Sequence, residues 1–147
     1  MQLTRGSEYA IRAILDLASK PDETKIQLKE IAARMDIPED FLAKIFQILN
    51  RTGIVKSFRG TKGGYTLAKP AEQITLKDII SAVDGPIKLN KCIDAQCIDD
   101  VKCNYTEKCP VHDVWMEAQD TLLNILHKAN FKVLAENLAR KTAAANN

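Results

Sequence analysis

No stretch of this sequence approaches the roughly 18 consecutive apolar residues that a membrane-crossing helix needs, although 46% of its 147 residues are apolar. The apolar run Ala10–Ala18 is interrupted by Arg12 and Asp16 and preceded by Glu8, which argues against a secretory leader and leads us to expect a cytoplasmic protein. Cysteine is missing everywhere except between Cys92 and Cys109. No internal repeat or low-complexity linker divides the chain, so its length fits one domain with an arm. There is also no pair of carboxylates, and no nucleophile beside a base, in a recognisable context, so enzymatic activity is not expected.

Acid is absent from residues 41–69, where six basic residues stand: Lys44, Arg51, Lys56, Arg59, Lys62 and Lys69. The net charge of +2 conceals this asymmetry, because residues 1–69 hold 12 Lys/Arg against 8 Asp/Glu while residues 70–147 hold 9 against 11. A positive face at one end of a near-neutral protein is the electrostatic footprint of a nucleic-acid binder, although solvated charge clusters also produce one.

Apolar spacing predicts the elements. Residues 8–19 are apolar or small nearly all round, as in a helix buried on most sides, and Pro21 and Asp22 end it. Leu28, Ile31, Ala32 and Met35 share one helical face. Pro38, Glu39 and Asp40 start a third helix with Leu42, Ile45, Phe46 and Leu49 inward, leaving Ala43, Lys44, Gln47, Asn50 and Arg51 toward solvent or a partner. Two β-prone runs, 54–58 and 65–67, flank a basic tip with three glycines, which is either a flexible turn or a site of close backbone approach. Thr75 and Asp78 open a further helix with a capping box, and Gly85-Pro86 closes it. Pro110 begins a long helix in which Val111, Val114, Trp115, Ala118, Leu122, Ile125 and Ala129 recur at three- and four-residue steps. A short helix over 131–140 and a disordered tail over 143–147 complete the chain.

The expected fold class is mainly α with a small β-hairpin wing: a winged helix-turn-helix over 1–85, a thiol loop over 86–109, and the long helix with the C-terminal helix over 110–142. In such a module the second helix of the pair enters the major groove while the wing touches backbone or minor groove. The candidate DNA contacts are therefore Asp40, Ala43, Lys44 and Arg51 on the groove helix and Arg59, Gly60 and Lys62 on the wing. An arginine beside glycine on a hairpin tip suits a minor groove, whereas Lys62 suits phosphate.

Clustered cysteines in a reducing compartment point to metal or redox chemistry before disulfides. The loop is Cys92-x4-Cys97-x5-Cys103-x5-Cys109-x2-His112. It lacks the paired C-x2-C knuckles usual for structural zinc, and soft thiolates suit iron–sulfur clusters.

Three stretches together carry a family likeness: Met1-Gln2-Leu3-Thr4 with Tyr9-Ala10, then Arg59-Gly60-x-x-Gly63-Gly64-Tyr65, then Cys97-x5-Cys103-x5-Cys109-x2-His112. Over nearly its whole length the chain resembles the IscR/NsrR-type bacterial transcription regulators. The resemblance implies a homodimer pairing through the long helix, binding to a near-palindromic operator in double-stranded DNA, and an iron–sulfur cluster, with [2Fe–2S] favoured over [4Fe–4S]. It implies Cys97, Cys103 and Cys109 as ligands with His112 as the fourth. The alternative fourth ligand is Glu8 of the partner subunit, since Glu8 stands where NsrR-like relatives carry a carboxylate; a helix-start acid needs no such role. Cys92 has no counterpart in the three-cysteine pattern and is the weakest candidate. The chain departs from IscR at Ala43, where IscR carries an acid, so IscR's operator preference does not carry over. A cluster-free regulator answering to a metabolite or protein partner, and a small iron–sulfur redox protein, remain the competing expectations.

Overall fold

The computed structural model describes residues 2–93 and 108–146, so the expected ligands Cys97 and Cys103 lie outside the described residues. Its elements are α1 (Arg5–Ala18), α2 (Leu28–Met35), α3 (Glu39–Arg51), β1 (Val55–Phe58), β2 (Gly64–Leu67), α4 (Leu76–Asp84), α5 (Pro110–Lys128) and α6 (Phe131–Ala145), with 3-10 turns at Ala71–Gln73 and Lys91–Ile93. This is the expected mainly α fold with a two-stranded hairpin.

Helix α1 starts three residues before the expected Glu8, because Thr4 caps it: the Ser7 amide donates to Thr4 Oγ1 at 3.2 Å. Thr4 is itself tied to the end of α4, its amide donating to Asp84 Oδ2 at 3.2 Å and its hydroxyl donating to Asp84 Oδ1. Gly6 permits the close approach of the two helices, since a Cβ there would lie 3.2 Å from Val83. Helix α2 is fixed to α1 by Arg34, whose Nε and Nη2 donate to the buried Asp16 carboxylate at 2.6–3.2 Å. Hydrogen bonding to Asp16 raises the Arg34 pKa above its ordinary value.

The core collects Ile14 from α1, Ile31 from α2, Leu42, Phe46 and Leu49 from α3, Val55 from β1, and Ile74 and Ile79 around α4, all essentially without solvent exposure. Phe131 joins them from the far end of the sequence. It is brought there by backbone hydrogen bonds on both sides of Thr75: Leu76 N donates to Ala129 O at 3.0 Å and Phe131 N to Ile74 O at 2.9 Å. The chain thus leaves the winged domain along α5 and returns to it at α6. Helix α6 begins at Phe131 as expected but continues past Arg140 to Ala145, into the first three residues of the 143–147 segment expected to be disordered. Asn130 caps its start, and the alanines near its end have the highest helix propensity.

Helix α5 is different from the rest. Of its 19 residues only Gln119 is buried, and the apolar repeat read from the sequence faces outward: Val111, Val114, Trp115 and Ile125 are exposed, with Ala118 and Leu122 half-buried between them.

Candidate functional site

On α3, burial divides the helix cleanly. Leu42, Ile45, Phe46 and Leu49 point into the core, and Asp40, Lys44, Gln47 and Arg51 recur at i, i+4, i+7 and i+11 on the opposite side, all exposed. Ala43 is half-buried at the edge of that stripe. Gln47, placed by the sequence toward solvent or a partner but not among the candidate DNA contacts, stands mid-stripe, and a glutamine can engage adenine with two hydrogen bonds in a major groove. Helical spacing was the signal that marked it.

The wing projects beyond α3 as an antiparallel pair in the register Val55↔Leu67 to Phe58↔Gly64. Arg59, Gly60 and Lys62 are exposed at its tip. The three glycines have separate causes. Gly60 turns with φ +98°, which L side chains rarely adopt. A Cβ on Gly63 would stand 2.3 Å from the Phe58 carbonyl oxygen, and one on Gly64, at φ +146°, 2.6 Å from the Ile26 carbonyl oxygen. The close backbone approach anticipated from the glycines is therefore, for Gly63 and Gly64, an approach to the protein's own backbone. Ile26 pairs with Tyr65 through reciprocal hydrogen bonds of 3.0 and 2.8 Å, making a one-residue third strand that sequence reasoning missed because an isolated bridge has no alternation to detect. The wing is anchored further by Phe46 and Tyr65, edge to face at 4.8 Å. Lys25 and Lys56 lie 4.3 and 5.3 Å from the Phe58 ring centroid, which sets two cations along the wing's flank.

At the other end of the sequence, Cys92 and Cys109 are free, half-buried thiols. Cys109 is the N-cap of α5, and the His112 amide donates to its carbonyl oxygen at 3.1 Å. His112 Nδ1 is buried and has no hydrogen-bond partner among the described residues. A buried ring nitrogen without a partner is costly unless something completes it, and a bound metal would do so. A helix N-terminus also favours the negative charge that a thiolate-ligated site carries. Cys109 and His112 thus fit a metal cluster in the chemistry of their donors, while among the described residues no three His, Cys, Asp or Glu side chains converge. Glu8 is exposed in the first turn of α1.

A profile of the Rrf2 family, described as iron-dependent transcriptional regulators, matches residues 3–137. The chain belongs to the Rrf2 family. It is 33% identical over 137 residues to the HTH-type transcriptional regulator IscR of Cronobacter sakazakii, covering 93% of this chain and 82% of that one. Among solved structures it is similar to CymR (YrzC), the global cysteine regulator of B. subtilis, with a TM-score of 0.76, 26% identity, and coverage of 93% of this chain and 98% of the other. It is also similar to T. potens IscR, with a TM-score of 0.68, 25% identity, and coverage of 93% and 88%.

As an Rrf2 protein the chain is a DNA-binding winged-helix transcription regulator rather than an enzyme, which also sets aside the small redox protein as its main role. Helix α3 and the β1–β2 wing are the surfaces such a module brings to DNA. Among the described residues no helix is long and apolar enough to cross a membrane.

Proposed function

We propose that this Rrf2 protein acts in the cytoplasm as a homodimer on a near-palindromic operator, with its affinity set by an iron–sulfur cluster and hence by iron–sulfur status, redox state or nitric oxide. The observation that carries the reading is the buried Nδ1 of His112, without a partner among the described residues, beside the free thiol of Cys109 at the start of α5. Cys97, Cys103, Cys109 and His112 would hold the cluster, [2Fe–2S] rather than [4Fe–4S], with Glu8 of the partner subunit the alternative fourth ligand and Cys92 left out. When bound, the cluster supplies a one-electron couple and iron open to attack by oxidants and nitric oxide.

The protein's own residues convert occupancy of that site into DNA affinity. Asp40, Ala43, Lys44, Gln47 and Arg51 face the groove, Arg59 and Gly60 the minor groove, and Lys62 a phosphate. Two such faces bind two half-sites only at one separation, so a change in how α5 carries the winged domains alters affinity. The outward apolar stripe of α5 supports pairing of two copies along that helix.

A cluster-free reading, in which a metabolite or protein partner takes the place of the cluster, is favoured by the higher TM-score to CymR, 0.76, than to IscR, 0.68. Anaerobic purification separates the two. The protein is expected to be coloured, to contain iron and sulfide, and to bind an operator selected from random duplex DNA differently before and after the cluster is removed. Colourless, iron-free protein with the same tight binding would establish the cluster-free reading instead.

A further inference from the structure

Between Gly85, which ends α4, and the turn Lys91–Ile93, the chain runs beside α5 without becoming a strand. The Gln119 side chain helps to hold it there. The Leu89 amide donates to Gln119 Oε1 at 2.9 Å, and Gln119 Nε2 donates to the Ile87 carbonyl oxygen at 2.6 Å. A single carboxamide therefore satisfies a backbone donor and a backbone acceptor two residues apart, as a neighbouring strand would. Gln119 is 5% exposed and Ile87 7%.

The choice of residue is informative. Gln119 is the one buried position of α5, and glutamine is among the residues least often buried. Leucine, one atom shorter but wholly apolar, would remove more apolar surface from water. It would also take their Gln119 partner from the part-buried Leu89 amide and the buried Ile87 carbonyl. The position is thus built for two directed hydrogen bonds.

The location connects three parts. Upstream of Ile87 lies α4, which packs against α1 and α3 in the DNA-reading domain and also touches α5 directly. Downstream of Leu89 lies the turn that carries Cys92 and leads into the thiol loop. On α5 itself, Gln119 is about two turns, about 10 Å along the axis, from His112.

We propose that Gln119 is a positioning residue that clamps the entry of the thiol loop to α5, so that the state of the loop sets where the winged domain stands relative to that helix. The proposal rests on the cluster-controlled reading given above, and it adds the residue through which control is transmitted. Without the clamp, segment 87–89 follows α5 only through its flanking contacts, and cluster binding biases the winged domain less.

The test compares Gln119→Leu, which removes both hydrogen bonds, with Gln119→Glu, which keeps the acceptor for Leu89 and sets a carboxylate against the Ile87 carbonyl. Each is measured by hydrogen exchange at the Leu89 amide and by operator affinity with and without the cluster. In both variants Leu89 protection is expected to hold less well, most in Gln119→Leu, where exchange accelerates by about tenfold or more. Cluster-free affinity stays within about twofold of the parent, while the ratio of loaded to cluster-free affinity falls toward one. Unchanged Leu89 exchange in Gln119→Leu overturns the clamp, and faster exchange with the parent's ratio intact overturns its role in transmission. A parent whose own ratio is one overturns the cluster-controlled reading and this proposal together, which distinguishes that failure from a clamp that exists but transmits nothing.

Discussion

At the scale of the residue, the wing tip shows how two kinds of constraint share six positions. Arg59 and Lys62 are exposed and free of core packing, so the proposed role of both is on DNA rather than in the fold. Gly63 and Gly64 are held by contact with the protein's own backbone, so their effect is on the fold. The two kinds separate experimentally. Gly64→Ala places a methyl 2.6 Å from the Ile26 carbonyl oxygen at a φ of +146°, and it should cost about 2 kcal/mol or more in chemical denaturation. Arg59→Ala should leave denaturation within about 0.5 kcal/mol of the parent while weakening DNA binding, whereas Lys62→Ala should lower the salt dependence of log K by about one phosphate contact. Equal denaturation midpoints for Gly64→Ala and the parent would show that Ile26 does not constrain the wing.

At the scale of the element, the junction of α1 and α4 rests on a carboxylate at the surface. Burial works to raise the Asp84 pKa, but hydrogen bonds, led by that from the Thr4 hydroxyl, outweigh it and hold the carboxyl below its ordinary value. A depressed carboxylate contributes stability that is present above its unfolded pKa of about 3.9 and is lost as pH falls through the lower folded value. Asp84→Asn should therefore melt below the parent at pH 7, and the gap should close as pH falls below about 4. A gap that stays constant down to acid pH would remove the charge on Asp84 from the account. This junction also shows what was legible in the sequence. Helices α1 to α4 follow from apolar spacing because each buries one face, as Leu42, Ile45, Phe46 and Leu49 do on α3. The Thr4–Asp84 link spans 80 residues, and no local pattern encodes it. The same holds for Gln119, which lies among polar residues of α5 and becomes informative only once Ile87 and Leu89 lie beside it. Alanine-rich residues at the end of α6 looked like a tail because they lack apolar periodicity, although their propensity alone carries the helix to Ala145. The candidate ligands were legible from spacing, since cysteine occurs nowhere else; the buried nitrogen of His112, without a partner among the described residues, was not.

At the scale of the whole molecule, α5 is an element without enough to hold it as a single helix. Packing of an amphipathic face supplies most helical stability in proteins, yet α5 buries one residue, a glutamine, and exposes Val114 and Ile125 to 61% and Val111 to 51%. These side chains, with Trp115, Ala118 and Leu122, form one continuous stripe over about four turns. A stripe of that length is self-complementary when two copies meet about a twofold axis, because each position on one helix then meets the same surface of the other. In the proposed dimer, operator binding would gain from effective concentration: once one winged domain is bound, the second would engage its half-site intramolecularly, and affinity would exceed that of either domain by about 100-fold or more. Ile125→Asp tests this at small cost to the monomer, since a charge at an exposed helical site changes stability by about 0.5 kcal/mol or less. The variant should sediment as a monomer where the parent sediments as a dimer, retain the parent's circular dichroism apart from partial loss in α5, and bind a palindromic operator about 100-fold less tightly while binding a single half-site as the parent does. A variant that still sediments as a dimer would place the contact between copies somewhere other than this stripe.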